Sequence, residues 1–339
     1  MTQPPPLFPP ATQTDRLPSS TDVAKRAGVS QSTVSRVFSS GANVSSLVKE
    51  RVLRAAAELN YRPNALPGIL QTGRSGIVAL IVGGLYNPFF SRFLEQLSAA
   101  LRERGLQVML VQADSDSALD EVVADIARYR VDAVFSALGI RSKDVAKQLN
   151  SYQIPIVTIN SKIEGGYIGS VSSNNVEAGA QAARLLMERG CVQLAYIAGR
   201  DSDPQNDRQA GFMAEAKRLK LPAPVTALGG FSYEEGYAGA LALAASAGKI
   251  DGLFCVNDLV ALGAIDAIEN VWNLRVPTDI QVIGFDNIPM SAWAAHQLTT
   301  FDQSIEALVA SALELVQQLP NAHKITVPVK LIERRTTAP

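Results

Sequence analysis

From residue 75 onward, short apolar runs alternate with longer segments in which apolar residues recur every three or four positions. Short apolar runs predict buried strands, and the second spacing predicts amphipathic helices. The predicted strands cover residues 77–82, 107–112, 133–137, 156–159, 194–198, 225–228, 253–256 and 282–285. The predicted helices cover residues 89–104, 118–129, 143–152, 177–189, 207–219, 234–247, 259–269 and 305–319. Such alternation is typical of parallel sheets with helices on both faces, and its two series predict two doubly wound lobes.

Residues 21–61 carry a different pattern, which predicts three short helices joined by tight turns. The helices are expected at 22–27, 31–38 and 46–60. Gly28 turns the chain after the first helix at little steric cost, and Ser30 is placed to cap the second. The apolar positions expected to form a small core are Val23, Ala24, Ala27, Val34, Val37, Val48, Val52, Leu53 and Leu59. This arrangement predicts a helix-turn-helix.

The second helix of this unit has a polar outer face and the size to enter a DNA major groove. Arg36 is expected to contact guanine through paired bonds, and Gln31 and Ser32 to select other bases. Phosphate contacts, which set register without specifying sequence, are expected from Ser30, Thr33, Ser35 and Asn43. The alternative is a generic three-helix bundle whose polar face is only solvated.

Charge is sorted along the chain in a way that disfavours this alternative. Residues 19–75 hold eight Lys or Arg against three acids, a net of +5, whereas residues 76–339 hold 22 basic and 28 acidic residues. The whole chain is near neutral, at −1. A cationic module joined to an acidic one suits phosphate binding at one end only.

Composition and motifs narrow the function further. The chain has no apolar run long enough for a membrane span and begins without a signal-peptide pattern, so a cytoplasmic protein without a membrane partner is expected. Its two cysteines, Cys191 and Cys255, are expected to be buried hydrophobes. With His296 and His323 as the only histidines, neither a metal cluster nor a histidine-based triad is predicted. No cofactor and no catalytic residue are therefore expected.

A resemblance to a known family rests on the runs DVAKRAGVS, STVSRV and AAAELNYRPN, with NVS between the last two. These resemble the headpiece of the LacI/GalR family of bacterial repressors, and the likeness continues through nearly everything after residue 20. It implies an α/β core of two doubly wound lobes, periplasmic-binding-protein-like and of type I, behind an all-α headpiece. The expected divisions are a Pro-rich disordered tail at 1–18, the headpiece at 19–63, a hinge at 64–74 and the core at 75–339. Within the core, the first lobe is expected at 75–171 and 302–323, and the second at 172–301 and 324–339.

The resemblance also implies a role for the hinge. In the family this segment becomes helical on operator DNA and pushes a leucine between base pairs from the minor groove. Leu70 matches that leucine. Pro67 and Gly68 stand where the family usually has a small and a polar residue, and Gly68 weakens a helix by roughly 1 kcal/mol relative to Ala. A hinge that depends more than usual on DNA to fold is expected.

Ligands of doubly wound sheets bind beyond the carboxyl ends of the strands. The resemblance implies an effector site there, formed by Phe89, Phe90, Asn160, Arg208, Phe231, Asn257, Asp258 and Asp286. Arg208 matches a ligand-clamping arginine, and Asp286 matches a residue that accepts two hydroxyl hydrogen bonds. Charge-assisted bonds beside aromatic rings suit a sugar. The alternatives are core packing for the two phenylalanines, helix capping for Asp258 and plain solvation for the charges.

The sequence therefore predicts a homodimeric transcriptional repressor on a near-palindromic operator, with affinity changed by a small sugar-like effector. A corepressor-dependent or dual activator and repressor is an open alternative. A solute-binding transport protein is disfavoured because it has no use for the headpiece. A sugar-processing enzyme is disfavoured because Asp258 and Asp286 are its only candidate acid and base.

Overall fold

The computed structural model describes residues 17–38, 44–63, 73–83, 85–113, 119–246 and 249–337. The chain divides into two compact units, Met1–Gly73 and Arg74–Pro339. Three parts of the expectations lie outside the described residues: most of the N-terminal tail, Asn43, and most of the hinge, with Pro67, Gly68 and Leu70.

The first unit contains the three predicted helices, α1 Ser20–Ala27, α2 Gln31–Phe38 and α3 Ser46–Glu58. Helix α1 begins with a capping box, in which Ser19 Oγ accepts from the Asp22 amide at 3.3 Å and the Asp22 carboxylate accepts from the Ser19 amide at 2.8 Å. It ends at Gly28, whose φ of 64° is the left-handed conformation that glycine adopts at little cost. The predicted cap of α2 is confirmed, because Ser30 Oγ accepts from the Thr33 amide at 3.2 Å.

The core of this unit is small and built from short side chains. Its buried members are Val23, Ala24, Ala27, Val34, Val52, Ala55 and Ala56. The expectation that Leu53 is buried was wrong, since its exposed fraction is 43%. Val52, Ala55 and Ala56 lie on the buried face of α3. Leu53, the residue after Val52, is rotated about 100° from it around the helix axis and so lies off that face. Arg51 reaches back to donate to the carbonyls of Ala27 and Gly28, which satisfies backbone groups at the end of α1.

The first lobe of the second unit is a parallel sheet of six strands. Its elements in chain order are β1 Ile77–Val82, α4 Pro88–Glu103, β2 Gln107–Gln112, α5 Leu119–Ala127, β3 Ala133–Ser136, α6 Lys143–Ser151, β4 Ile156–Ile159 and β5 Ile168–Ser173, joined later by α11 Ile305–Gln318 and β11 Lys324–Val327. The strand order is β11-β5-β4-β3-β1-β2. Strands β1, β3 and β4 are almost wholly buried, as their continuous apolar runs predict.

The second lobe is a parallel sheet of four strands in the order β7-β6-β8-β9. Its elements are α7 Asn175–Glu188, β6 Leu194–Ala198, α8 Asp203–Arg218, β7 Val225–Leu228, α9 Tyr233–Ser246, β8 Gly252–Cys255, α10 Asp258–Asn270 and β9 Gln281–Ile283. A cluster of rings from Tyr196, Phe212 and Phe254 lies in its core, with centroids 5.4 to 5.9 Å apart. Among the described helices of the chain, none is both long and apolar enough to cross a membrane.

The chain passes between the lobes three times. The first passage follows Ser173, the last residue of β5. The second is β10, Thr300–Asp302, which pairs antiparallel with β12, Lys330–Ile332. The ring of Phe301 on β10 packs 5.7 Å from that of Phe285, so this passage is anchored in the second lobe.

The third passage was expected near Lys324, and that boundary was wrong. Strand β11 pairs in parallel with β5, from Lys324 opposite Ser170 to Val327 opposite Ser173. Residues 324–327 therefore complete the first-lobe sheet, where they satisfy the backbone groups along the outer edge of β5. The chain passes to the second lobe only after Val327.

Candidate functional site: an interlobe cleft and a DNA-facing helix

A cleft of about 470 Å³ lies between the two lobes, where loops at the carboxyl ends of both sheets face each other. This volume is in the range of small-molecule sites. The residues expected from the sequence that line it are Phe89, Phe90, Asn160, Arg208, Phe231, Asn257 and Asp286. Their convergence follows from the topology, because parallel strands bring their carboxyl ends to one edge of the sheet.

Asp258 does not line the cleft, and its expected place there is corrected. Its side chain is fully buried, with Oδ2 accepting from the Ile288 amide at 2.9 Å and Oδ1 accepting from Thr300 Oγ1 at 2.5 Å. Asn257, not Asp258, caps α10, accepting from the Val260 amide at 2.9 Å. Burial raises the pKa of Asp258 well above its usual range, and the nearby charge of Asp286 adds to the rise. Asp258 is thus a structural acid that fixes the second passage to the second lobe.

Arg208 is a buried cation that lies inside helix α8. Its Nε donates to Asn175 Oδ1 at 2.8 Å, and its Nη1 donates to the Val256 carbonyl at 2.6 Å. The guanidinium carbon lies 3.5 Å from the centroid of the Phe285 ring. An arginine has five N–H donors, and these two bonds use two of them. The guanidinium is therefore held rigidly at the cleft wall with donors left for a ligand.

Asp286 is a buried acceptor at the inner end of the cleft. Its Oδ2 accepts from Asn87 Nδ2 at 2.9 Å, and its Oδ1 accepts from Gln303 Nε2 at 2.7 Å. Burial raises the pKa of Asp286, while Arg208 and the two amide donors oppose that rise. Its φ is 115°, a conformation that side chains rarely adopt and that is concentrated at functional sites. A carboxylate has further lone pairs, so Asp286 can still accept from ligand hydroxyls.

Aromatic rings form the apolar side of the cleft. Phe89 and Phe90 meet edge to face with centroids 5.2 Å apart, and Phe89 is nearly fully buried whereas Phe90 is half-buried. Phe231 faces them from the second lobe, and a Cβ at Gly199 would lie 2.3 Å from its ring. Only glycine at 199 leaves room for this ring. Glu235 fixes the loop by accepting from the Phe231 amide at 2.9 Å.

The mouth of the cleft is crossed by polar contacts between the lobes. Lys162 Nζ donates to Asp207 Oδ1 at 2.6 Å, and the Lys162 amide donates to Asp203 Oδ2 at 2.8 Å. Arg141 Nη2 donates to the Asp201 carbonyl at 2.8 Å, with the two side chains 3.9 Å apart. These contacts join first-lobe loops to the start of α8.

Several lining residues were not identified from the sequence, among them Asn87, Gln303, Gln205, Arg141 and Lys162. Asn87 carried a usable signal, since Asn before Pro88 marks a helix start, and it caps α4 by accepting from the Phe89 amide at 3.0 Å. Gln303 carried none, because it follows a short passage strand with no apolar pattern. Ser202 Oγ is buried and has no hydrogen-bond partner among the described residues.

The outer surface of α2 carries the residues expected to contact DNA. Gln31, Ser32, Ser35 and Arg36 are exposed there, together with Ser30 at the start of the helix, and Thr33 is half-buried. Ser30 Oγ lies 2.8 Å from both Ser32 Oγ and Thr33 Oγ1. Arg36 Nε donates to the Ser32 carbonyl at 3.3 Å, which aligns its side chain along the helix.

Three arginine side chains of this unit are already engaged by other groups of the same unit, which makes them less available to DNA phosphates. Arg26 pairs with Glu58 at 2.7 Å, and Arg54 pairs with Glu50 at 2.8 Å. Arg51 donates to the carbonyls of Ala27 and Gly28 at the end of α1. Part of the positive charge of the unit is therefore already engaged within the unit.

Two families match parts of the chain. The family described as bacterial regulatory proteins, lacI family, matches residues 21–64. The periplasmic binding protein-like domain matches residues 170–337. The ribose operon repressor of Halalkalibacterium halodurans is 31% identical over 323 residues, which cover 93% of this chain and 96% of that protein. The chain belongs to the lacI family.

Solved structures of transcriptional regulators superpose on most of the chain. The lac repressor dimer bound to operator and the anti-inducer ONPF superposes with a TM-score of 0.86 at 25% identity, covering 95% of this chain and 99% of that one. The complex of the transcriptional regulator CelR with cellobiose superposes with a TM-score of 0.70 at 26% identity, covering 94% and 99%. The lacI-family chain is a DNA-binding transcriptional regulator modulated by a small effector.

Proposed function

We propose that this regulator is a homodimeric repressor whose operator affinity is changed by a sugar-like effector bound in the interlobe cleft. The observation that carries the proposal is the arrangement of Arg208 and Asp286 beside the rings of Phe89, Phe90 and Phe231. A fixed donor, a fixed acceptor and an apolar face are what a polyol ring requires. Two similar solved structures hold ligands of this class, cellobiose in CelR and ribose in a LacI family regulator from Enterococcus faecium.

On DNA, the proposed base contacts are made by Arg36, Gln31 and Ser32, and the phosphate contacts by Ser30, Thr33, Ser35 and Asn43. A dimer presents two such helices to two half-sites, so the operator is near-palindromic. Leu70 is proposed to insert between central base pairs from the minor groove. Chromosomal operators lie in the cytoplasm, which is the compartment we propose.

We further propose that the cleft binds its ligand without chemistry. Of the two acids that an enzyme would need, Asp258 has both carboxylate oxygens engaged by Ile288 and Thr300. Of those two acids only Asp286 lines the cleft, so the pair that an enzyme would need is not brought together there. Incubating the protein with each sugar that binds, and finding the sugar unchanged, is the check on this point.

The experiment that tests the proposal starts from genomic DNA fragments selected on the purified full-length protein. Binding to the selected duplex is then measured by fluorescence anisotropy at moderate salt, with and without a panel of sugars. We expect a preference for one near-palindromic sequence and a change in its Kd with at least one sugar. Uniform binding to all duplexes, or a preferred operator that no panel member affects, contradicts the proposal.

A further inference from the structure

The charges that line the cleft are already balanced by the protein itself. Among the described residues, the lining cations are Arg141, Lys162, Arg200 and Arg208. Each lies beside a carboxylate. Three of these carboxylates form ion pairs: Asp201 with Arg141, Asp207 with Lys162, and Glu235 with Arg200. Among the charged groups around Arg208, Asp286 has the largest electrostatic effect on it.

The sum is slightly negative. The four cations face five carboxylates, Asp201, Asp203, Asp207, Glu235 and Asp286. A phosphate or carboxylate on a ligand would therefore have to take a cation from its present partner and leave that partner's charge uncompensated. The cost is greatest at the inner end, where Asp286 is buried and little screened by water.

Apart from the remaining donors of Arg208, whose charge Asp286 offsets, the polar groups that remain for a ligand are neutral or negatively charged. Asp286 offers acceptor lone pairs, which call for hydroxyl donors. Side-chain amides and hydroxyls can both donate to and accept from the hydroxyl groups of a ligand, and the cleft is lined by those of Asn160, Asn257, Gln205 and Ser202. This set of groups fits a polyol, and its cation with donors left, Arg208, already has its charge offset by Asp286.

We propose that the cleft selects an uncharged effector, and that the cross-lobe pair of Lys162 with Asp207 excludes phosphorylated and acidic sugars by keeping the lysine occupied. The inference rests on the proposed function and specifies the chemistry of its ligand. Lys162 and Asp207 are thus specificity-determining residues at the mouth of the cleft.

The test compares neutral sugars with their charged counterparts on the full-length protein. The probes are D-ribose, D-glucose and cellobiose against ribose 5-phosphate, glucose 6-phosphate and gluconate, first by thermal shift and then by calorimetry. We expect stabilisation by neutral members only, with the charged counterpart of a hit bound about tenfold more weakly or worse. In Asp207→Asn, which releases Lys162, the charged counterpart should regain affinity several-fold. In Lys162→Met the charged counterpart should bind still more weakly than it binds the wild type.

Asp125→Asn is the matched control, because Asp125 pairs with Arg128 at 3.8 Å on the surface of α5 and away from the cleft lining. It should leave the ratio of neutral to charged affinity unchanged. A charged sugar that binds the wild type as well as its neutral form, or a ratio that Asp207→Asn leaves unaltered, overturns the inference. If charged sugars bind and also change operator affinity, the proposed function stands and only the charge selection falls. If no sugar binds, both fall.

Discussion

Asn87 and Asp286, 199 residues apart in the chain, are joined across the cleft by a hydrogen bond of 2.9 Å from Nδ2 to Oδ2. The same Asn87 amide caps helix α4 through its oxygen. The start of a first-lobe helix and the acid of the second lobe are therefore linked by one side chain. Closure of the lobes and the orientation of Asp286 depend on each other.

Replacing Asn87 with Asp separates these two roles. The carboxylate still accepts from the Phe89 amide, but it places a second negative charge against Asp286 in place of a donor. We expect about tenfold weaker binding of the effector at pH 7.5, with partial recovery near pH 5.5 as one of the two carboxyls takes a proton. Calorimetry at the two pH values measures this. Asn270→Asp, at an exposed helix end, is the control, and equal losses in both variants would rule out the proposed role of Asn87.

Arg208→Lys tests whether the planar guanidinium of Arg208, with its two hydrogen bonds and its contact with the Phe285 ring, matters beyond its positive charge. Lysine keeps the charge but cannot donate to Asn175 and Val256 together or stack on Phe285. We expect a regulator that still binds its operator but no longer responds to the effector. Arg208→Met should in addition lower the free energy of unfolding by about 3 kcal/mol, because Asp286 is left buried without its cation. Anisotropy and urea unfolding measure the two effects, and a normal effector response in Arg208→Lys would show that charge alone suffices.

Arg36→Ala tests the direct contact with DNA. We expect a loss of ~1–3 kcal/mol on the preferred operator and relaxed discrimination at one base pair. Lys25→Ala, which removes a cation from α1 instead, should weaken binding to all duplexes alike and reduce its salt dependence. Competition binding against single-base operator variants separates the two. A uniform loss in Arg36→Ala would assign that residue to phosphate.

Glu215 makes a pH-dependent contribution to the stability of the second lobe. Hydrogen bonds from Arg218, with those from Arg184, lower its pKa to about 2 despite burial. Because the folded pKa lies below the unfolded one, the stabilisation is present above about pH 4.5 and is lost as pH falls towards 2. The melting temperature of Glu215→Gln should lie below that of the wild type at pH 6, and the two should converge in acid. A constant difference from pH 6 to pH 2.5 would show that packing, not charge, sets the effect.

Most of the strands could be predicted because apolar runs such as 77–82 are buried on both faces. Strand β5, Ile168–Ser173, was missed because three of its six residues are serine and one is glycine. It is buried by position, between β4 and β11, and not by its own hydrophobicity. The short passage strands β10 and β12 were missed for a similar reason, since two strands of three residues have no measurable period.

The candidate site shows the same limit in its individual residues. Arg208 and Asp286 were identified through the resemblance to the family, which agrees with the convergence of strand ends and helix starts in this topology. Asp258 was assigned to the cleft because it follows a strand end, yet one residue's difference along the helix start turns it towards Thr300. The pairing of Lys162 with Asp207 depends on how two lobes meet, which no local pattern records.

Gln303 links the cleft to the segments that join the two lobes. Its Nε2 donates to Asp286, and its Oε1 accepts from Ser173 Oγ at 2.7 Å, so one side chain couples the ligand-facing acid to the ends of two interlobe passages. The acid at the cleft thus lies next to the places where the chain passes between the lobes. Because the rotation of a rigid body displaces each atom in proportion to its distance from the axis, a small rotation about these passages would move the far rim of each lobe the most.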